Sequence, residues 1–354
     1  MSEKPSLSVW DYVTFPVTII RIGAVVLWAG LTSGFRGPNT PPTARRHILY
    51  TFSRTVIQSI TLRQYQAIFP LTVEAYEASA KARGFKPEIV EIGDGTLGCW
   101  IGDNNAKTVL IWFHGGGYAL PASPGHMDFL SDLVSKTGSG LAALVLAYDL
   151  IPQGKYPRQL EQASATIRYL TQELGKSYSD LLVGGDSAGA HLAISLLSHL
   201  SHPHPTVPAL QNNAYKFKGA ILISPVVTFD QSAQAFERNK QKDSVSSRAV
   251  KSWFDGFMGS APIDNYNTPL NAPVDWWNDI QAENLLILAG TDEVFVDDIQ
   301  QFAEKIEERN TQKVELLIAP GEGHNSPIHE RNFGLREKDG AIEAKMCQWV
   351  IDRA

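Results

Sequence analysis

The sequence has few cysteines and no long run of basic residues. Its 354 residues include only two cysteines, Cys99 and Cys347, far apart in the chain. This excludes a disulfide framework and the paired spacing typical of zinc sites. Nothing else in the sequence leads us to expect a metal or a cofactor. Few cysteines suit an intracellular, reducing compartment. With a formal net charge of -6, nucleic acid is not expected as a partner.

The composition is that of an ordinary globular protein, with 44% hydrophobic and 19% charged residues. From residue 86 onward, short apolar runs alternate with helical patterns. Such alternation predicts an α/β fold with a mostly parallel central sheet flanked by helices. Reactive groups in such a sheet belong at the carboxyl ends of the strands. The predicted strands after an opening hairpin lie at 108–113, 141–147, 181–185, 217–224, 284–289 and 314–319.

The first 85 residues differ from the rest and are predicted to form a separate N-terminal unit ahead of a catalytic domain at 86–354. Residues 12–31 are apolar all round, with Arg21 near the middle. Three alternatives remain open for this segment: a membrane anchor, a helix lying in a membrane surface, and a cap helix buried on the protein. Helical patterns follow at 43–68 and 71–83, and Gly84 is placed to end the second.

A second irregular segment, at 226–280, interrupts the alternation of strands and helices. It contains a group of aromatic side chains among short polar pieces, which we interpret as an insertion over the sheet. Together with Tyr118, these aromatics are candidates for the apolar wall of a substrate pocket. The candidates in the insertion are Trp253, Phe254, Trp276 and Trp277.

The strongest motif is Gly185-Asp186-Ser187-Ala188-Gly189, which joins the apolar run at 181–185 to a helical pattern. Glycine at both flanks permits a turn too tight for side chains, and this strand–turn–helix arrangement typically presents a nucleophilic serine. At a helix N-terminus, free amide groups and the helix dipole favour negative charge. We therefore predict that Ser187 is a nucleophile.

A run of glycines follows the strand predicted at 108–113. In His114-Gly115-Gly116-Gly117, the missing side chains let backbone amides approach a substrate oxygen closely. We predict an oxyanion hole made by the amides of Gly115 and Gly116 together with that of Ala188.

Serine also needs a base and a carboxylate that orients the base. Of nine histidines, only His324 combines a glycine-rich loop after the last predicted strand with a position downstream of Ser187. His329 is the alternative. The predicted acid is Asp292, three residues past the strand at 284–289, with Glu293 as runner-up. Three strand-end loops would thus supply three complementary groups.

These motifs resemble the hormone-sensitive-lipase branch of the α/β-hydrolases, which are carboxylic ester hydrolases with the same chain order of serine, acid and histidine. The segment 147–157 is similar to a Tyr-Arg-Leu-Ala-Pro-Glu…Phe-Pro stretch of that branch but differs in charge at Asp149 and Gln153. The acid motif lacks the branch's proline. The resemblance covers residues 85–352 and implies a cap made from residues 1–85 and 226–280. The apolar N-terminus also resembles membrane-associated steryl acetyl hydrolases.

The resemblance and the motifs together lead us to expect a serine esterase acting on an apolar ester, for example a short acyl group on a bulky alcohol. Two alternatives remain open: an acyltransferase or cyclase that uses the same acyl-enzyme, and a non-catalytic receptor on the hydrolase scaffold. We expect an intracellular protein, either membrane-associated, as at the endoplasmic reticulum, or cytoplasmic. The oligomeric state is not predicted.

Overall fold

The computed structural model describes residues 4–210, 216–309, 313–335 and 340–354. These residues contain one sheet of eight strands, six of which follow the apolar runs of the sequence. In chain order the strands are β1 (Glu88–Gly93), β2 (Thr96–Ile101), β3 (Thr108–Phe113), β4 (Leu141–Ala147), β5 (Leu181–Asp186), β6 (Gly219–Ile223), β7 (Asn284–Gly290) and β8 (Lys313–Ala319).

The strands lie in the spatial order β1-β2-β4-β3-β5-β6-β7-β8. The β1–β2 and β2–β4 pairs are antiparallel, and every other pair is parallel. Every side chain of β3, β5 and β6 is buried, because both faces of the sheet are covered. The predicted mostly parallel sheet flanked by helices is therefore confirmed.

Twelve α-helices accompany the sheet in the described residues, and two buried apolar clusters fill the space on its two faces. Helices α6, α7 and α10 contribute to one cluster, and α5 and α12 to the other. In chain order the helices are α1 (Val9–Thr32), α2 (Ala44–Ser59), α3 (Leu62–Ile68), α4 (Thr72–Arg83), α5 (Pro124–Thr137), α6 (Arg158–Arg168), α7 (Ala188–Ser201), α8 (Gln234–Arg238), α9 (Ser247–Met258), α10 (Val296–Glu307), α11 (Ser326–His329) and α12 (Ala341–Ile351).

The helix predicted at 43–68 is two helices, because a capping box starts α3 within it. The Thr61 hydroxyl accepts a hydrogen bond from the Gln64 amide at 3.2 Å, and the Gln64 side chain accepts one from the Thr61 amide at 3.0 Å. This reciprocal pair satisfies the first amides of a new helix and turns the chain at Ile60. The next helix, α4, ends at Gly84 in the left-handed conformation, as predicted.

Helix α1 contains the apolar segment predicted at 12–31. It packs along α2, yet only Asp11, Ile22 and Ala29 are buried among its 24 residues. The alternative of a cap helix buried on the protein is therefore wrong. Within the described ranges, the segment Val9–Phe35 is also the one helical stretch long and apolar enough to cross a membrane.

Candidate active site

The turn between β5 and α7 lifts Ser187 above the carboxyl edge of the sheet. Ser187 has φ 53° and ψ -118°, a backbone conformation that costs energy for a residue with a side chain. A Cβ on Gly185 or Gly189 would overlap the carbonyl oxygen of Phe113, so both flanks of the turn require glycine. The Ser187 amide donates to the Ile223 carbonyl at 2.8 Å, which fixes the turn to β6.

The Ser187 hydroxyl lies beside His324, and a glutamate lies on the far side of the imidazole. Ser187 Oγ is 2.8 Å from His324 Nε2, and His324 Nδ1 is 2.9 Å from Glu293 Oε2. Ser187 and His324 are each 7% exposed, whereas Glu293 is fully buried. A hydroxyl, an imidazole and a carboxylate therefore stand in a row.

The carboxylate in this row belongs to Glu293, and the prediction of Asp292 is corrected. The amide of Asp292 donates to the Glu322 carbonyl at 3.0 Å, and its carboxylate lies 3.4 Å from Lys242 Nζ. Successive side chains of the turn after β7 point in different directions, so the carboxylate one residue later faces His324.

The second oxygen of Glu293 has its own partners. Glu293 Oε1 accepts hydrogen bonds from the Gly290 amide at 2.7 Å and from the Ser224 hydroxyl at 3.2 Å. Both carboxylate oxygens are thus hydrogen-bonded although the side chain is buried, which offsets much of the cost of burying its charge. These partners also prevent the carboxylate from rotating away from His324.

Charges around His324 determine its pKa. Burial alone lowers the pKa of the imidazole, but the hydrogen bond and charge of Glu293 outweigh it, helped by the charges of Asp243 and Asp186. The pKa of His324 is consequently raised above its ordinary value. The imidazolium that forms when a serine proton is taken up is stabilised by the same charges.

Gly115 does not have a free amide for an oxyanion, in contrast to the prediction. Its N–H donates to Asp186 Oδ1 at 3.0 Å. The amides of Gly116, Gly117 and Ala188 donate to no acceptor within the described ranges of the chain, and both glycines line the cavity above Ser187. Gly117, which the sequence analysis left out, is the third member of the same glycine run and could have been found there.

Asp186 connects the loops around Ser187. Its buried carboxylate accepts hydrogen bonds from the Gly115 amide, from Trp112 Nε1 at 3.2 Å and from Asn325 Nδ2 at 2.7 Å. His126 Nε2, at the start of α5, lies 3.2 Å from it. One buried carboxylate therefore ties the glycine run to the residue that follows His324.

Asp243, in the insertion, holds the other two loops of the site. Its carboxylate accepts hydrogen bonds from the Val294 amide at 2.7 Å and from the His324 amide at 3.2 Å. Its own carbonyl accepts a hydrogen bond from Arg54 of α2. Burial, reinforced by the nearby charge of Glu293, raises the pKa of Asp243 to about 6. Nothing in the sequence pattern marked this residue.

A cavity of about 520 Å³ opens above Ser187, a volume typical of small-molecule sites. Its wall is predominantly apolar and comes from α2, α3, α9, α11 and the loops before α5 and α10. The larger apolar side chains that line it are Phe52, Val56, Ile57, Tyr65, Phe69, Leu120, Val245, Val250, Trp253, Phe254, Phe295, Ile328 and Phe333.

Two of the five predicted pocket residues line this cavity, namely Trp253 and Phe254. Tyr118 lies behind the wall, where its hydroxyl is 2.6 Å from His191 Nδ1. Trp276 stacks on a surface-side histidine, and Trp277 packs in the core against α10. The prediction is therefore corrected for these three residues. Aromatic composition indicated a segment that contributes to the wall, but not which of its faces lies over Ser187.

A second pair of a serine and a histidine lies on the same cavity wall. Ser53 Oγ is 3.0 Å from His329 Nε2, and burial together with the charge of His324 lowers the pKa of His329 to about 4. Ser53 lies in the middle of α2, where the backbone amides are used within the helix and cannot hold an oxyanion. His329 thus contacts a serine, but not Ser187.

Comparison with known protein families adds an independent observation. A family model described as "alpha/beta hydrolase fold" matches residues 110–327. The "Esterase" of Acinetobacter venetianus is 25% identical over 224 residues, which is 62% of this chain and 68% of the relative. "Steryl acetyl hydrolase 1" of Saccharomyces cerevisiae is 26% identical over 207 residues, 54% of this chain but only 46% of the relative.

Solved structures share the fold at lower sequence identity. A crystal structure described as an esterase from the bacterial hormone-sensitive lipase family superposes with a TM-score of 0.64 and 20% identity. The superposition covers 94% of this chain and 97% of the other. The two chains therefore share one fold over nearly their whole lengths.

Proposed function

The chain belongs to the α/β-hydrolase fold family, and from that premise we propose that it is a serine-dependent carboxylic ester hydrolase. The observation that carries the proposal is the row Ser187–His324–Glu293, with contacts of 2.8 Å and 2.9 Å. These are the separations that a nucleophile, its base and an orienting carboxylate need.

In the proposed reaction Ser187 Oγ attacks the ester carbonyl carbon while its proton passes to His324 Nε2. Glu293 accepts the hydrogen bond of His324 Nδ1, which keeps Nε2 free to take the proton and stabilises the resulting imidazolium. The proton then goes to the leaving alcohol. Water, activated by the same imidazole, attacks the acyl-enzyme and releases the acid.

We propose Gly116, Gly117 and Ala188 as the donors to the oxyanion. Their amides lie on two loops that meet beside Ser187, and the N-terminus of α7 adds its dipole. Each such donor is typically worth about 10²–10³ in rate. The amide of Gly115 instead holds the run in place through Asp186.

The substrate we propose is an apolar ester with a short acyl group on a bulky alcohol. The size of the cavity, about 520 Å³, and its largely aromatic and aliphatic wall support a hydrophobic substrate. The relative named "Steryl acetyl hydrolase 1" supports the choice of a short acyl group. Esters of one hydrophobic alcohol with acyl chains of increasing length would test this choice directly.

To test the nucleophile, we compare the hydrolysis of p-nitrophenyl acetate by the wild type and by Ser187→Ala. We expect Ser187→Ala to lose at least about 10³-fold in kcat/KM. Ser53→Ala is the matched serine-to-alanine change in the same cavity, and it should affect KM while leaving acylation at Ser187 intact. Losses of equal size in the two variants would contradict the assignment of the nucleophile.

Product analysis separates hydrolysis from acyl transfer, because both use the same acyl-enzyme. With a bulky acetyl ester and an added alcohol acceptor, we expect free acid to be the main product at every acceptor concentration. A dominant ester product would instead identify an acyltransferase.

A further inference from the structure

Helix α1 presents its apolar side chains outward, which is the reverse of what a helix on a soluble domain normally does. Val9, Val13, Ile20, Leu27 and Leu31 recur at intervals of four or seven residues, so they share one side of the helix. All five are more than half exposed, from 57% for Val13 to 81% for Val9. We call these five residues the outer stripe.

The opposite side of α1 is held on the protein along its length. Near its N-terminus, Gln64 Nε2 donates to the Asp11 carbonyl at 3.2 Å and to the Thr14 hydroxyl at 3.3 Å. Just ahead of the helix, Lys4 Nζ pairs with Glu74 of α4 at 2.7 Å. Further along, the helix packs against α2.

These contacts favour one of the two membrane alternatives. At about 1.5 Å per residue, α1 is about 36 Å long and could cross a bilayer. To do so it would have to leave α2 and α3, and the ion pair between Lys4 and Glu74 would have to break. Kept on them, it can reach lipid only with its outer stripe, lying parallel to the surface.

Charge favours an anionic lipid surface over a second copy of the chain. Residues 1–70 contain seven Lys and Arg residues and two acidic residues, although the whole chain carries -6. Arg21, Arg45 and Arg63 are exposed on α1, α2 and α3. Two copies facing each other here would bring like charges together, whereas anionic headgroups would attract them.

Aromatic residues flank the outer stripe as they do in helices at membrane interfaces. Trp10 and Trp28 are 74% and 68% exposed, and both lie on the same edge of α1 as Arg21. Tryptophan prefers the headgroup level, and arginine can extend its charge to that level from an apolar surface.

We propose that α1 docks this protein in plane on a bilayer containing anionic lipid, with the outer stripe buried among the acyl chains. Docking would place α2, which also lines the cavity, between the lipid and the site. This inference concerns a surface remote from Ser187 and stands whatever reaction the site performs.

The first test is co-sedimentation of the full chain with vesicles of phosphatidylcholine containing about one-third phosphatidylserine. We expect the wild type to bind, and Ile20→Asp/Leu27→Asp to lower the bound-to-free ratio at least about tenfold. Ile263→Asp is the matched control, since Ile263 is 68% exposed outside α1, and it should bind like wild type. An unchanged midpoint of thermal unfolding verifies that the variants fold.

The second test measures orientation with nitroxide labels placed singly at Val13, Ile20 and Leu27. A helix in plane gives three similar, shallow depths. A spanning helix would put the label at residue 20 about 10 Å deeper than the other two, which would overturn the proposal. Absence of vesicle binding, or self-association of the wild type that the Ile20→Asp/Leu27→Asp variant abolishes, would overturn it as well.

Discussion

Replacing Glu293 by glutamine tests the identity of the acid most sharply, because the carboxylate uses both oxygens. Oε2 accepts from His324 Nδ1, and Oε1 accepts from Gly290 and Ser224. An amide has only one oxygen. If that oxygen faces the imidazole, the amino group meets the Gly290 amide, donor against donor. If it faces Gly290, the amino group meets Nδ1 and forces the proton onto Nε2.

In the second orientation Nε2 can no longer accept the serine proton. The variant then loses activity because the imidazole carries its proton on the wrong nitrogen, although the ring stays in place. We expect Glu293→Gln to lower kcat by about 10³–10⁴-fold, the size found when an orienting carboxylate becomes an amide. The matched control is Asp292→Asn, which removes a charge one residue away beside Lys242 and should cost less than about tenfold. Steady-state hydrolysis of a short aryl ester measures both.

The pH dependence of kcat/KM provides a second test with the same variants. The base must be neutral, and the pKa of His324 is raised above its ordinary value in the wild type, so kcat/KM should rise with pH through this raised pKa. Glu293→Gln removes the largest of the effects that raise the pKa, so its residual activity should rise at lower pH than that of the wild type. The reasoning is refuted if Asp292→Asn loses more activity than Glu293→Gln. It is also refuted if the pH profile of Glu293→Gln coincides with that of the wild type.

Two further variants test other parts of the site. Gly117 has φ +63°, and a Cβ added there would lie 2.5 Å from the ring of Trp253, so a side chain would displace the loop. Gly117→Ala should therefore lower kcat by about 10²-fold with little change in KM. A change confined to KM in steady-state assays would contradict the role of Gly117 as an oxyanion donor. Trp253→Ala should raise KM for esters of bulky alcohols at least about fivefold more than for ethyl acetate, and equal effects on both substrates would place Trp253 outside the alcohol site.

The sheet, and the strand ends after which Ser187 and His324 lie, could be predicted from the sequence for physical reasons. Buried parallel strands are short apolar runs, and their carboxyl ends are marked by the glycines that tight turns require. The sequence alone therefore shows the glycine pair around Ser187 and the glycine-rich loop around His324.

The acid and the pocket wall could not be predicted in the same way. The backbone conformation of the turn after β7 decides whether Asp292 or Glu293 faces the imidazole. The number of residues between the end of the strand and the carboxylate does not predict that conformation. The direction of Trp276 and Trp277 depends on how the insertion folds back on the core. Asp243 acts through amides of distant loops, and such contacts leave no local pattern.

The central claim is that Ser187 carries the acyl group, and covalent labelling measures this most directly. After reaction with a fluorophosphonate, mass spectrometry of the digested wild-type protein should place one adduct on the peptide containing Ser187, and Ser187→Ala should remain unlabelled. An adduct on Ser53 or on another serine, with Ser187 unmodified in inactivated protein, would contradict the account.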